Sequence, residues 1–300
     1  MNRKQRRAAA KRNRTAEIKV SIAEAVAFAV KHHQNGQLDD AEKIYRQVLQ
    51  AKPDHPDALH FLGVLSHQKG RSEEAIDLIR KAVSLHPGYA DAYNNLGNVL
   101  KETSRFAEAE AAYRACLSHD PQNVDALSNL GAVLRENKKY TEAMSCLEQA
   151  IAIAPNHAQA YHNLGNVLKK HNRLKEAITA YRTSISLLHP NESKALVSSV
   201  YKSLARALFI ERNYDQATEV LQQWLEFDPD SPTALHMLSA CTGENIPERA
   251  SDAYVEESFD TFAESFDEVL NRLEYRAPEL VLRALQSRNV KADGQLTTLD

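Results

Sequence analysis

Glycine recurs in this 300-residue chain at Gly63, Gly97, Gly131 and Gly165, always 34 residues apart. Ala41, Ala75, Ala109, Ala143 and Ala177 keep the same interval, and so do Pro53, Pro87, Pro121 and Pro155. A fixed period of about 20 to 50 residues marks a stack of similar units, each too small to bury its own apolar face and completed by its neighbours. Such an array has no single core, so chain length limits the number of units rather than the number of domains.

The repeats begin at Ile22, Pro56, Ala90, Val124 and Ala158, with a degenerate one near Ser198. Each holds two apolar stripes at helical spacing. In the third, Tyr93, Leu96, Val99 and Leu100 form one face, and Phe106, Ala109, Tyr113 and Leu117 form another. Arg105 and its equivalents mark the turn between the two helices. Small residues at Gly97, Ala109 and Cys116 allow the helix axes to approach closely. Pro121 ends the second helix, because it has no N–H to donate and its ring clashes with the preceding turn. The expected fold class is all-α.

The run AYNNLGNVLKETSRFAEAEAAYRACLSHDP resembles a tetratricopeptide repeat, with its large, Leu, Gly, Ala, aromatic, Ala and Pro residues in register. The resemblance spans about Ile22 to Pro229 and implies a right-handed solenoid of helix hairpins. Its departures set boundaries. The fifth repeat reaches its proline one residue late, at Pro190, and Asn191 to Val197 is expected to lengthen the connection to the sixth. There Trp224 replaces a small residue of the close helix contact, so its ring must widen that contact or cover the end of the array. A half-repeat runs from Pro232 to Thr242, and the pattern stops at Gly243. The expected organisation is a basic tail over 1–20, a solenoid of about six and a half repeats over 21–243, and a different segment over 244–300.

Charge and cysteine narrow the function. Between Asn2 and Lys19, Arg3, Lys4, Arg6, Arg7, Lys11, Arg12, Arg14 and Lys19 oppose Glu17 alone, a block that cannot bury apolar surface. It reads either as a contact to phosphates or as a solubilising arm. A net charge of -3 and the lack of interleaved aromatics argue against nucleic acid. Similar MNRKQRRAAA-like openings are a habit of bacterial repeat proteins. Ala8-Ala9-Ala10 is too short for the apolar core of a secretory leader, and no run approaches the ~18 apolar residues of a spanning helix. Cys116, Cys146 and Cys241 are few and scattered, each where a repeat would bury a small side chain. A cytoplasmic protein without membrane contact is expected.

Helix spacing puts positions 2, 5, 6, 9, 12 and 13 of each repeat on the face that lines the concave side of such arrays. Position 6 holds Asn95, Asn129 and Asn163, and position 9 adds Asn98 and Asn166. A carboxamide both donates and accepts, so a row of them can match the backbone of an extended peptide whatever its side chains. Asparagines at this position hold the peptide in protein O-linked N-acetylglucosamine transferases, which this row resembles. The competing reading is polar filler duplicated with the repeat. Position 12 carries Lys101, Arg135 and Lys169, with Lys202 and Arg206 nearby, which would favour an acidic peptide. Glu102, Glu136, Asp57, Asp91 and Asp125 allow a self-neutralised face instead. His32, His33, His60, His67, His162 and His171 lack the spacing of a zinc site and read as surface histidines, with no acidic or cysteine partner on the face of His60 and His67, so no metal is expected.

Beyond Gly243 the composition changes. Tyr254, Phe259, Phe262 and Phe266 fall among Asp252, Glu256, Glu257, Asp260, Glu264, Asp267 and Glu268, which predicts an amphipathic acidic helix. A second helix is expected from Pro278 through Leu285, a turn at Asp293-Gly294, and a strand over Gln295 to Asp300. A lone strand lacks hydrogen-bond partners, which suggests either disorder or a domain that continues. ASDAYVEESFDTFAESFDEVLNRLEYRAPELVLRAL resembles the leading helices of a class I S-adenosylmethionine-dependent methyltransferase of the bacterial type fused behind tetratricopeptide repeats. That resemblance covers about Ala250 to Asp300. It implies that Leu296 to Asp300 is the first strand of the parallel sheet, with Asp300 opening the cofactor motif. The implied protein is a methyltransferase with a peptide-recruiting arm, whose catalytic core lies past residue 300. No catalysis and no bound cofactor are expected of these 300 residues. The alternative is a stand-alone interaction module with a helical cap.

Overall fold

The apolar stripes fold as helices in the register the period predicts. The computed structural model describes residues 21–243 and 254–255. First helices begin at each predicted repeat start: α1 Ile22–Gln34, α3 Pro56–Gln68, α5 Ala90–Glu102, α7 Val124–Glu136 and α9 Ala158–Lys170. Second helices are α2 Leu38–Ala51, α4 Ser72–Leu85, α6 Phe106–His119, α8 Tyr140–Ile153 and α10 Leu174–Ser186. Then come α11 Lys194–Ile210, α12 Tyr214–Phe227 and α13 Pro232–Thr242. The basic tail, the acidic helix, the helix at Pro278 and the strand ending at Asp300 lie outside the described residues, apart from Tyr254 and Val255.

The described residues divide into two compact units at Ala207–Leu208, within α11. In the first, each first helix packs on its own second helix and on the second helix of the pair before it. First helices also touch each other, α1 with α3, α3 with α5, α5 with α7 and α7 with α9, whereas second helices make no comparable approach. The unit is therefore tighter along its first helices, which makes their shared face the concave one. In the second unit, α12 packs on α13.

The recurring glycines sit where the paired helices cross. A Cβ at Gly97 would lie 2.6 Å from Tyr113 Cε1, one at Gly131 2.5 Å from Leu147 Cγ, and one at Gly165 2.5 Å from Tyr181 Cε1. Ala41, Ala75, Ala109, Ala143 and Ala177 are fully buried, as are Cys116, Ala82 and Ala150 one period apart. Trp224, at the equivalent place in α12, is buried too.

Each pair turns through one left-handed residue: Gly36, Gly70, Ser104, Lys138, Asn172 and Arg212, with φ between 58° and 78°. Only the first two are glycine, so the later turns hold a side chain where L-residues are disfavoured. Arg105 follows this residue and opens α6, with its guanidinium on Glu108 and Glu73.

The longer connection expected over Asn191 to Val197 is present in part: seven residues, 187–193, separate α10 from α11, where four, 154–157, separate α8 from α9. Ser193 Oγ accepts from the N–H of Leu196, and α11 starts at Lys194. With no proline or glycine in Lys-Ala-Leu-Val to stop it, the rest of the insertion becomes an additional helical turn at the start of α11. Gly243, at φ 70, closes α13 with its N–H on Ser239 O, where the pattern was expected to end.

Candidate functional site

The first-helix face carries most of the polar side chains singled out from the sequence, and many of them are already hydrogen-bonded to each other. Asn95 Nδ2 donates to His60 Nε2 at 2.8 Å. Since Nε2 accepts there, Nδ1 carries the proton and donates to Tyr89 Oη at 3.0 Å. Asn129 Nδ2 donates to Asn98 Oδ1 at 3.1 Å, and Lys101 Nζ donates to Asn129 Oδ1 at 2.8 Å. Asn163 is 5% exposed, and its amide donates to the Ser128 carbonyl and hydroxyl. Asn163 therefore faces the neighbouring first helix rather than open groove. The bonds from Asn95 and Asn163 each link residues 35 apart, one helix to the next.

Asn98 and Asn166 have a further duty that sequence reasoning missed. The buried Tyr113 hydroxyl donates to Asn98 Oδ1 at 2.7 Å, and that of Tyr181 to Asn166 Oδ1 at 2.8 Å. The signal was present in the chain: where the second helix offers Tyr113 or Tyr181, the residue 15 earlier is Asn, and where it offers Ile79 or Leu147 that residue is Val64 or Ala132. Tyr45 is the exception, opposite Val30, and its buried hydroxyl has no partner among the described residues.

His60 and His162 are not surface histidines. They are 2% and 5% exposed, because position 5 of a first helix abuts the next first helix. Burial pulls both imidazoles down to about 4; Asp91 and Asp57 oppose the shift at His60, while Arg135 and Lys169 reinforce it at His162. His67 also has an acidic partner, Glu102 of the next repeat, at 2.7 Å. Among the described residues, no group of three or more His, Cys, Asp or Glu gathers to hold a metal.

Asn95 and Asn98 line an open cleft of about 490 Å³ with Val64, His67, Gln68, Val99 and Glu102, on α3 and α5. The two valines form an apolar floor and the amides and carboxylate a polar rim. Farther along, Lys101 and Lys169 are half-buried, and burial lowers both ammonium groups, with Arg135 adding to the effect. Arg135 pairs with Glu136 beside it. Among the described residues Lys169 has no carboxylate partner. Asp300 lies outside the described residues.

The outer face is tied differently. Arg46, Arg80 and Arg114 reach Glu74, Glu108 and Glu142, each 28 residues on, giving an ion-pair ladder along the second helices. Two shielded carboxylates reinforce it. Glu42 accepts from Lys69, Arg46 and Arg71, and Glu110 accepts from Lys139, Arg114 and Asn137. Burial alone would raise the Glu42 carboxyl, but these hydrogen bonds outweigh it and bring it down to about 2.

Comparison with known proteins agrees with this geometry. Family models described as tetratricopeptide repeat match residues 27–90 and 162–232, 90–123, and 123–188. No curated protein matches the chain. Among solved structures, PilW, a widely conserved type IV pilus biogenesis factor, is 17% identical at a TM-score of 0.65, over 75% of this chain and 100% of its own. PilF of Pseudomonas aeruginosa is 20% identical at 0.60, over 73% and 97%. MamA is 24% identical at 0.50, over 55% and 91%. At these identities the likeness speaks for the fold alone. Matched without a gap from residue 27 to residue 232, this part of the chain belongs to the tetratricopeptide-repeat family.

Proposed function

We propose that this chain is a protein- or peptide-binding scaffold acting through its first-helix face, and that it serves as the recruiting arm of an S-adenosylmethionine-dependent methyltransferase. The observation that supports the binding role is the cleft on α3 and α5, where Asn95, Asn98 and Gln68 surround a floor of Val64 and Val99. An extended peptide can lay an apolar side chain on that floor and satisfy its backbone at the rim. The grip is narrower than five equivalent asparagines, because Asn163 is buried and a ligand must displace bonds that the others already make. Recognition by the half-buried Lys101, Arg135 and Lys169 gives an acidic character to the partner.

The methyltransferase half rests on the resemblance of residues 250–300. The residue assigned to the cofactor, Asp300, is outside the described part. S-adenosylmethionine would supply the transferable methyl group, and the face described here would hold the protein that receives it. The free cysteines Cys116, Cys146 and Cys241 suit a reducing setting, and the proposal places the protein in the cytoplasm.

The binding role is tested by selecting from a random-peptide display library on the full chain and on Val64→Trp, whose indole fills the cleft floor. Enrichment on the parent but not on the variant, with unchanged helicity, is expected; equal enrichment on both would remove the cleft from the function. The methyltransferase role is tested by reading the coding sequence after codon 300. A glycine-rich turn following the strand supports it, and a stop codon removes it.

A further inference from the structure

Charge is not spread evenly along the first-helix face. Asp57 and Asp91 stand in the first turns of α3 and α5, and Glu102 ends α5 as an exposed carboxylate at the rim of the cleft. Tyr89 hydrogen-bonds Asp57, and the groups facing Glu102 are His67, bonded to it, and Lys101. Two helices further on the sign reverses. Lys169 is half-buried at the end of α9, with Arg135, Lys170 and Arg206 close enough to disfavour its charge. Among the described residues, Arg135 alone of these has a carboxylate partner, Glu136. Asp125, the remaining acid of this row, accepts from His157 at 3.2 Å.

Resting on the binding role proposed above, we infer that this face takes an extended peptide bearing a basic residue and, five or six residues away, a carboxylate. The basic residue lies in the cleft against Glu102, and the carboxylate meets Lys169 and Arg206. The spacing follows from packing: α5 touches α7 and α7 touches α9, so the two ends stand two helix separations apart. At about 8 to 10 Å per separation and about 3.3 Å per extended residue, five or six residues span the gap. A cation partly removed from water and surrounded by like charge is stabilised by an incoming anion, and among the described residues Lys169 has no carboxylate partner to compete with it. At the other end a lysine or arginine can lay its methylenes on Val64 and Val99 while its charge reaches Glu102.

The probe is the random-peptide library, selected on the full chain, on Glu102→Lys and on Lys169→Glu, with helicity checked for each. The expected enriched peptides pair Lys or Arg with Asp or Glu at a separation of five or six residues. Glu102→Lys then loses the preference for the basic residue and keeps that for the acid, while Lys169→Glu does the reverse. Each substitution weakens the best parental peptide by about fivefold. Peptides that are acidic throughout, with no response to Glu102→Lys, would overturn the two-ended pattern and leave the binding role standing. Enrichment that neither substitution alters, nor Val64→Trp, would overturn both.

Discussion

Gly97→Ala sets two well-defined effects against each other. Helix propensity favours the change, since alanine in a helix interior is better than glycine by about 0.8 to 1 kcal/mol. Packing opposes it. The new Cβ would sit 2.6, 2.7 and 2.8 Å from Cε1, Cζ and Cδ1 of Tyr113, where carbon atoms rest at about 3.5 to 4.0 Å. The ring has little room to retreat, being fully buried with its hydroxyl held by Asn98, the residue next to Gly97. Moving it by about 1 Å strains the helix pair at about 1 to 3 kcal/mol and weakens a buried hydrogen bond worth about 1 kcal/mol. The expected sum is a loss of about 2 kcal/mol. At Gly131 the facing atoms belong to Leu147, which can change rotamer, so Gly131→Ala should cost less. Urea unfolding followed by circular dichroism measures both. A Gly97→Ala midpoint at or above that of the parent would show that this glycine is not there for close approach, and a larger loss at Gly131 would show that Leu147 cannot yield.

The turns and charges give three further expectations. Ser104→Gly, at φ 58°, should stabilise the chain by about 0.5 to 1 kcal/mol, and Gly70→Ala, at φ 78°, should destabilise it by about as much; opposite signs in urea melts would contradict the left-handed turn. Because His60 and His162 titrate near 4 when folded against about 6.5 when unfolded, the unfolded chain binds more protons between these values. Their contribution is complete above pH 6.5 and is lost as pH falls toward 4, at up to about 3 kcal/mol for each histidine; a His60→Gln, His162→Gln chain should be flatter over that window, and an unchanged slope would count against their burial. Glu42→Gln should lower the urea midpoint at pH 7 and remove part of the acid sensitivity between pH 4.5 and 2, since the lowered carboxyl stabilises the fold above 4.5; equal midpoints at pH 7 would show the clamp contributes nothing.

Helix placement was legible because it rests on period and punctuation. The starts of α1, α3, α5, α7 and α9 coincide with the predicted repeat starts, and Gly243 caps α13. What a repeat buries between neighbours was harder to see. Helical spacing puts His60, His162 and Asn163 on the inner face, but the face is shared: first helices touch, and the part of position 5 or 6 turned toward the next helix is interior. A helical wheel contains one helix, so it cannot separate groove from seam. Arg105 marks the turn, but its left-handed residue, Ser104, was missed for a related reason. Gly36 and Gly70 mark the left-handed site, but later repeats replace glycine there and the signal fades. The insertion before α11 was read only in part, as a longer connection, because a longer connection and a longer helix differ only in local propensity and both are present.

The asparagines illustrate how repetition mixes two selections. Asn98 and Asn166 accompany Tyr113 and Tyr181, whereas the intervening pairs use Leu147 or Ile79 opposite Ala132 or Val64. From the third repeat to the fifth, a second period, two repeats long, is therefore superimposed on the first, matching each buried hydroxyl to an acceptor; Tyr45, opposite Val30, keeps the tyrosine without the asparagine. Glu42 and Glu110 share the two-repeat spacing, with matching cationic partners. Recurrence of a residue type on the inner face is thus insufficient to assign a ligand contact; the residue must also retain a side open to the groove. Asn95 and Asn98 meet that condition at the cleft, and Asn163 does not. On the binding role proposed above, recognition is concentrated at the α3–α5 cleft and at the Lys169 end, while Asn129 and Asn163 between them bond the neighbouring first helices.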